Sequence, residues 1–416
     1  MYNSSFSARS LMYVFNKNDY KAFELKNIDE VNRKLVAAEL AAENIVTGLK
    51  LKKAHTNGRD IFIPSDYESE ILLRKLNANL KYFSTSIASS RDNIIKTLKE
   101  MLIEGVEYNV ARYDIKRFYD SVNIDNVINT ANIELSSSYE TKRLIKRFLI
   151  NHNHHHGGGL PTGLSLSATL SEIYLNEFDK VMRSFSWVRY YARYVDDIIM
   201  ITSPEVTQAI IEGSLIKALP SELSLNEGVG KRDFKSLTAK KSTDPWEADF
   251  DYLGYNFQIG YIKSKSNPNK TLNARIVNVN ISDKKIKLRK SRFISVVRQY
   301  LRDGNYEDFR NRFRLLNSGY VYFDKKKSCF RLAGIIYTYS HIDFPSNSLN
   351  SLEKFYKNII SGRKGYLCSR LRLSPLSRSE RRYFLGQSLD GNFQNRVHVL
   401  LPSKEIARLV ECWKYV

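Results

Sequence analysis

The sequence predicts an α+β protein, a mixed sheet with helices packed on one face. Three observations carry this. Two segments rich in aromatic and β-branched residues, 108–122 and 187–203, read as strands that end in turns. Between and around them apolar residues recur at helical spacing, as at Leu166, Leu170, Ile173 and Val181. Beyond about residue 283 the pattern becomes helical and basic. The chain of 416 residues is long enough for about two or three packed units, and its 26 Tyr and 21 Phe supply a large core.

Taken in order, residues 1–50 read as helical, with Asp29 as a cap ahead of Val31 and Leu35. In LKKAHTNGRDIFIPS (51–65), Asn57-Gly58 marks a turn between two short strands, with Lys52, Lys53 and Arg59 near the tip. A helical stretch fills 66–105. YNVARYDIKRFYDSV (108–122) is a strand running into a turn. GGGLPTG (157–163) is a glycine-rich turn entering a helix that Ser165 or Ser167 could cap. WVRYYARYVDDIIMITS (187–203) reads as two strands with Asp196-Asp197 at the bend, and 250–262 and 272–280 as further strands. No repeat of fixed period runs through the chain.

The net charge is +21, and residues 281–416 hold 28 Lys and Arg against 11 Asp and Glu, so most of the excess lies in the last third. A positive field so concentrated suits a polyanion such as nucleic acid. Cys329, Cys368 and Cys412 are odd in number and lack metal spacing. That excludes a disulfide scaffold, fits a reducing cytoplasm and makes all three packing residues. The N-terminal MYNSSFSARSLMYVF lacks the pattern of a signal peptide, and no run of about 18 apolar residues predicts a membrane span, so a cytoplasmic protein with no membrane partner is expected. The histidines of NHNHHHGGG (151–159) have no Cys or Glu at metal spacing and read as a solvated loop.

The chemistry lies in the acidic residues. Asp114 ends a strand, and Asp196-Asp197 sits at a hairpin bend about 80 residues later. Carboxylates brought together repel, and burying them unpaired is costly. Three of them together call for divalent cations. Oxygen ligands with open positions suit Mg²⁺, which keeps waters and takes up substrate phosphates. Two such ions can activate a 3′-hydroxyl and stabilise a leaving pyrophosphate.

Asp114 with Tyr119 five residues on, then LPTGLSLSATLSEIYL, then Tyr194-Val195-Asp196-Asp197, resembles motifs A, B and C of reverse transcriptases. Tyr252, Leu253, Gly254 and Tyr255 are similar to the primer grip of that family, and KKAHTNGRDIFIP to its fingers segment. The resemblance covers about residues 50–260. It implies a right-hand polymerase: an N-terminal extension and fingers over 1–105, a palm with an antiparallel sheet over 106–280 into which part of the fingers is interleaved, and a basic α-helical thumb over 281–416. The sheet should bear the three aspartates on adjacent strands.

Carried over residue by residue, Asp114, Asp196 and Asp197 are the catalytic carboxylates, and with Ile115 they form the site for two Mg²⁺ ions. Arg59 and Lys53 would contact the triphosphate of the incoming dNTP, with Lys52 as an alternate. Tyr119 would crowd a ribose 2′-hydroxyl, favouring dNTPs over NTPs. Thr162 and Gly163 would pack on the nascent base pair. Lys231, in LSLNEGVGK, lies near the family's phosphate-proximal lysine, with Lys235, Lys240 and Lys241 competing for the role. Lys284, Lys285, Lys287, Arg289, Lys290 and Arg292 would track a nucleic-acid backbone, each phosphate contact steepening the salt dependence by about 0.9 log unit. The later FRNRFRLL, KKKSCFR and SRLRLSPLSRSERR interleave basic residues with aromatics or leucine, a composition suited to structured RNA.

The departures refine the resemblance. Thr162 stands where the family commonly has Gln, Ala168 where it has Pro, and Glu172 where it has Asn. The pattern looks more like the abortive-infection and defence-associated bacterial enzymes. That implies antiphage defence by copying a dedicated, structured non-coding RNA into DNA, with a second reverse transcriptase or a second copy of this chain among the expected partners. No residues remain for an RNase H or integrase domain. The alternatives are a retron- or group II intron-type enzyme, and an RNA-binding scaffold with a vestigial polymerase site; intact Asp114, Asp196, Asp197, Arg59 and Tyr119 argue against the last.

Overall fold

Tyr108–Asp114 (β3) is the strand around which the acidic residues are organised in the computed structural model. The structure describes residues 2–43, 49–56, 58–84, 89–237, 246–263, 271–324 and 329–414, without the side chains of Thr56, Arg59, Ile262, Lys263 and residues 271–274. Two compact units emerge. One contains Met1–Ile94 and Glu107–Thr238; the other contains Ile95–Val106, Ala239–Asp324 and Cys329–Val416.

In the first unit, Leu51–Thr56 (β1) and Arg59–Pro64 (β2) form an antiparallel hairpin. A four-stranded antiparallel sheet follows. Its strands are β3, Val188–Tyr194 (β4), Asp197–Thr202 (β5) and Asp233–Leu237 (β6), in the order β4-β5-β3-β6. β3 and β5 are buried along nearly their whole lengths. Ala111, Tyr113, Ile198 and Met200 join the core shared with helices such as Tyr67–Phe83, Ile124–Glu134 and Tyr139–His156. Val110, Ile199 and Ile201 on the opposite face are buried too. Both faces of the central strands are therefore covered, where the sequence suggests one. Their apolar runs are continuous for that reason rather than alternating.

Local chemistry shifts some boundaries. The first long helix is Ile28–Glu43, so Asp29 lies inside its first turn, and the Asn27 side chain receives the Glu30 amide at 2.9 Å. The helix Ser165–Tyr174 begins after Leu164 without a side-chain cap, and Ser167 is buried inside it, so neither serine caps it. The histidine run is not a loop. His152, His154, His155 and His156 form the last turns of the helix Tyr139–His156.

In the second unit, Ala248–Tyr252 (β7), Tyr255–Lys263 (β8) and Thr271–Ile281 (β9) form an antiparallel sheet in sequence order. Helices Asp283–Asp303, Tyr306–Asn317 and Asn347–Ser361 pack around aromatic rings, with Phe293 4.3 Å from Tyr356 and Phe309 4.6 Å from Phe384. The C-terminal third also holds a small sheet that a purely helical reading misses. Gly319–Asp324 (β10) lies between Cys329–Gly334 (β11) and His398–Val399 (β12). The three cysteines are half-buried and unbridged. Among the described residues no helix is long and apolar enough to cross a membrane.

Candidate active site

Register brings the acidic residues together. Asp114, at the end of β3, pairs directly with Asp197, the first residue of β5. Tyr194 also pairs with Asp197, leaving Val195 and Asp196 as a two-residue turn. The Asp196 carbonyl accepts the Ile115 amide at 3.0 Å, which ties this turn to the strand bearing Asp114. Val195 has φ +60°, a left-handed conformation that costs a β-branched residue about 1–2 kcal/mol. A hairpin turn of this length needs positive φ, a need usually met by glycine.

Asp114 is buried and held from three sides. Its carbonyl accepts the Asn226 amide at 2.7 Å. Its Oδ1 accepts Asn226 Nδ2 at 2.7 Å and its Oδ2 accepts Lys231 Nζ at 2.7 Å. Among the candidate lysines, the described contacts bring Lys231 to Asp114. Lys235 instead pairs with Asp233 at 3.3 Å, and Lys240 and Lys241 lie outside the described residues. Burial pushes the Asp197 carboxyl up to about 6, and the neighbouring Asp196 and Asp114 carboxylates add to the effect. The site is therefore short of positive charge even with Lys231 in place.

Among the described residues no group of three or more His, Cys, Asp and Glu side chains forms a ready-made metal cage. Asp114, Asp196 and Asp197 have the hard oxygen donors to hold Mg²⁺.

The glycine-rich turn seats against this corner. A Cβ at Gly159 would lie 2.4 Å from the Tyr119 carbonyl, which also accepts the Leu160 amide at 2.8 Å. Only glycine fits there. Tyr119 itself sits near Ser171, Glu172 and Asp196, and burial raises its hydroxyl pKa. Thr162 and Gly163 meet the β1–β2 hairpin. The Thr162 carbonyl accepts the Phe62 amide at 2.8 Å, the Thr162 hydroxyl donates to the Asp60 carbonyl, and a Cβ on Gly163 would lie 3.1 Å from the Phe62 carbonyl. Lys53 pairs with Asp60 at 2.8 Å, Lys52 is exposed, and the Arg59 side chain and Asn57 lie outside what is described. Phe62 packs edge-on to His152 at 4.6 Å, so the histidine helix supports the hairpin.

The other expected positions belong to the second unit. Leu253 and Gly254 form the β7–β8 turn with φ +46° and +81°, while Tyr252 and Tyr255 are buried on either side. On the helix Asp283–Asp303, Lys284 and Lys287 are exposed and Lys285 and Arg292 partly so. Lys290 donates to the Ser351 hydroxyl at 3.1 Å. Arg289 turns inward, donating to the Leu316 carbonyl at 2.8 Å over the Tyr339 ring, so its guanidinium is engaged by protein rather than presented outward.

Two sets of residues at this corner were not anticipated. Asn226 lies in the same LSLNEGVGK segment as Lys231, and its value depends on that segment running beside Asp114. Arg193 is buried behind the Asp196 turn with Glu172 and Asp179. Its signal was a second arginine, besides Arg189, in an aromatic-rich strand, together with an acid at 172.

Residues 64–257 match the family model for reverse transcriptase (RNA-dependent DNA polymerase). The chain thus carries a reverse transcriptase domain, with mixed helices and antiparallel sheets. The matched family is one of RNA-dependent DNA polymerases. Among solved structures, an apo telomerase from Candida tropicalis, truncated from its C-terminal domain, is similar at 16% identity and a TM-score of 0.35. That likeness covers 51% of this chain and 53% of the other, so it spans about half the length of the telomerase chain. No curated protein sequence matches.

Proposed function

We propose that this protein copies a dedicated, structured non-coding RNA into DNA as part of bacterial antiphage defence. The observation that carries the polymerase half is the pairing of Asp114 with Asp197 across β3 and β5, with Asp196 at the adjoining turn, inside a reverse transcriptase domain. The defence half is supported by the LPTG…LSE pattern around Thr162 and Glu172 and by the +17 charge of residues 281–416.

In this reading residues 1–105 serve as extension and fingers, 106–280 as palm and 281–416 as thumb. Reverse transcriptase domains generally use Mg²⁺, and here Asp114, Asp196, Asp197 and Ile115 would hold two ions. The ions supply Lewis-acid activation of a 3′-hydroxyl and charge compensation for pyrophosphate. The chain's own residues do the rest. Lys231 supplies a positive charge beside Asp114, where it meets either the carboxylate or an incoming phosphate. Lys53 and Arg59 bind the triphosphate, Arg59 in the bidentate manner open to a guanidinium. Tyr119 excludes a 2′-hydroxyl sterically, and Thr162 and Gly163 set the floor under the nascent pair. Tyr252, Leu253, Gly254 and Tyr255 grip the primer, and the basic helix from Lys284 to Arg292 tracks the duplex.

The test is to sequence RNA and DNA co-purifying with the wild-type chain and with the Asp196→Ala, Asp197→Ala double variant. One RNA enriched with both proteins, and complementary DNA with wild type alone, is the expected result. Heterogeneous RNA with no difference in DNA would overturn dedicated templating.

A further inference from the structure

We propose that Arg193 is a positioning residue whose buried guanidinium holds the Val195–Asp196 turn in its working shape. The proposal rests on reading Asp196 and Asp197 as the catalytic carboxylates. The Arg193 side chain is 1% exposed. All five of its N–H donors have acceptors. Nε donates to Asp179 Oδ1 at 2.8 Å. Nη2 donates to Asp179 Oδ2 at 2.8 Å and Glu172 Oε2 at 2.9 Å. Nη1 donates to Glu172 Oε1 at 3.2 Å and to the Val195 carbonyl at 2.9 Å. Tyr191 completes the cluster by donating its hydroxyl to Asp179 Oδ1 at 2.7 Å.

Four of the five donors fix the guanidinium to two carboxylates on two helices. The fifth grips the carbonyl of the one residue in the turn whose left-handed backbone a β-branched side chain opposes. A rigid planar fork is what such a task requires. Lysine, with three donors on a flexible stem, cannot meet three groups in this plane. A buried ionic cluster is poor at raising stability compared with apolar packing, so a geometric role accounts better for its presence here. Glu172 stands where the resembled family commonly has Asn, and in this chain it supplies two of the anchors.

The test is a double-mutant cycle of Arg193→Lys with Val195→Gly, read by steady-state synthesis and by Mn²⁺ binding in electron paramagnetic resonance. Glycine adopts positive φ freely and needs no clamp. Arg193→Lys is expected to lower kcat by about 10- to 100-fold and to weaken Mn²⁺ binding. In the Val195→Gly background the same substitution should cost no more than about 2-fold. Multiplying, independent effects would overturn the clamp, as would an Arg193→Lys protein with unchanged synthesis and Mn²⁺ binding. If Arg193→Lys fails to fold, Glu172→Gln replaces it in the cycle, since Asp179 still anchors the guanidinium. An intermediate loss suppressed by Val195→Gly supports the proposal, and an unsuppressed loss refutes it. Asp196→Asn run alongside separates the two levels. If that variant still synthesises DNA, the catalytic reading fails, whereas a dead Asp196→Asn beside an unaffected Arg193→Lys removes the clamp alone.

Discussion

Two hairpin turns in this molecule solve the same backbone problem by different means. The β4–β5 turn and the β7–β8 turn each join antiparallel strands through two residues, and each places a bulky residue at positive φ: Val195 at +60° and Leu253 at +46°. The first is secured by charge and directed hydrogen bonds, from Arg193 to the Val195 carbonyl and from Ile115 to the Asp196 carbonyl. The second has one such bond, from the Ser282 amide to the Gly254 carbonyl at 3.1 Å, and is otherwise secured by buried aromatics. Tyr252 and Tyr255 are each 1% exposed, Tyr255 packs edge-on to Tyr339 at 5.4 Å, and Gly254 takes the second positive φ without strain. A turn held by directed bonds fixes where its side chains point. A turn held mainly by packing fixes that the turn exists and sets the directions of its tip side chains less tightly.

The largest expected effect separates chemistry from stability at the first turn. Asp196→Asn should reduce DNA synthesis by about 10³-fold, roughly 4 kcal/mol of barrier. The urea midpoint should stay near wild type, because the Ile115 bond is made by the Asp196 backbone. Loss of folding together with activity would mean that the turn is structural.

The reverse outcome is expected at the second turn. Tyr255→Ala removes a fully buried ring and its hydroxyl's bond to the Thr338 carbonyl at 3.3 Å. The loss should be about 3–5 kcal/mol of stability, seen as a lower denaturation midpoint. A near-neutral result would mean that packing does not hold this turn.

The comparison also explains what was readable from the chain. Asp114, Asp196 and Asp197 were legible because strand pattern and turn position are local, and their pairing follows from two strands sharing a sheet edge. The β1–β2 hairpin was legible from Asn57-Gly58. Lys231 could not be separated from Lys235 by sequence, because the choice depends on where β6 begins: Lys231 precedes it and reaches Asp114, while Lys235 lies within it and pairs with Asp233. Arg193 was missed because its partners, Glu172 and Asp179, sit on helices brought behind the turn only by tertiary packing. The β10–β11 hairpin was hidden for a related reason: its strands are interrupted by KKKS and carry Arg331, so basic and aromatic residues read as a helical, RNA-facing run.

A smaller effect tests the electrostatics of the first turn by pH. The Asp197 carboxyl titrates at about 6 in the fold against an ordinary 3.8, chiefly through burial and then through Asp196 and Asp114. The folded state thus binds the proton more tightly than the unfolded chain. At neutral pH the buried charge and its repulsion cost stability, and the cost is relieved as pH falls from about 6 toward 4. Asp197→Asn should therefore raise the stability of the metal-free protein at pH 7.5 by about 1–2 kcal/mol, after discounting for partial solvent access, and should have little effect at pH 4. His152 works in the opposite direction. Burial, with His156 nearby, pushes it down to about 4 from 6.5, so its contribution is present above 6.5 and lost as pH falls toward 4. Calorimetry from pH 7.5 to 4 should show the wild type nearly level and Asp197→Asn losing stability. Parallel profiles would mean that neither burial nor its neighbours shifts Asp197.

The smallest expected change concerns the tip of the second turn. In Leu253→Gly, relief of the left-handed strain gains about 1 kcal/mol, while the lost half-buried side chain and the greater freedom of the unfolded chain cost about as much. The net change should stay within about 0.5 kcal/mol, because Tyr252, Tyr255 and Gly254 already define the turn. If the tip contacts a primer, as the resemblance implies, the same variant should raise KM for primer–template a few-fold with kcat retained, the mark of lost uniform binding. A stability loss above about 1 kcal/mol with unchanged KM would make Leu253 a packing residue and move the primer contact elsewhere. Near-neutral stability with a raised KM would fit a turn whose shape is set by its flanks and whose Leu253 side chain meets the primer.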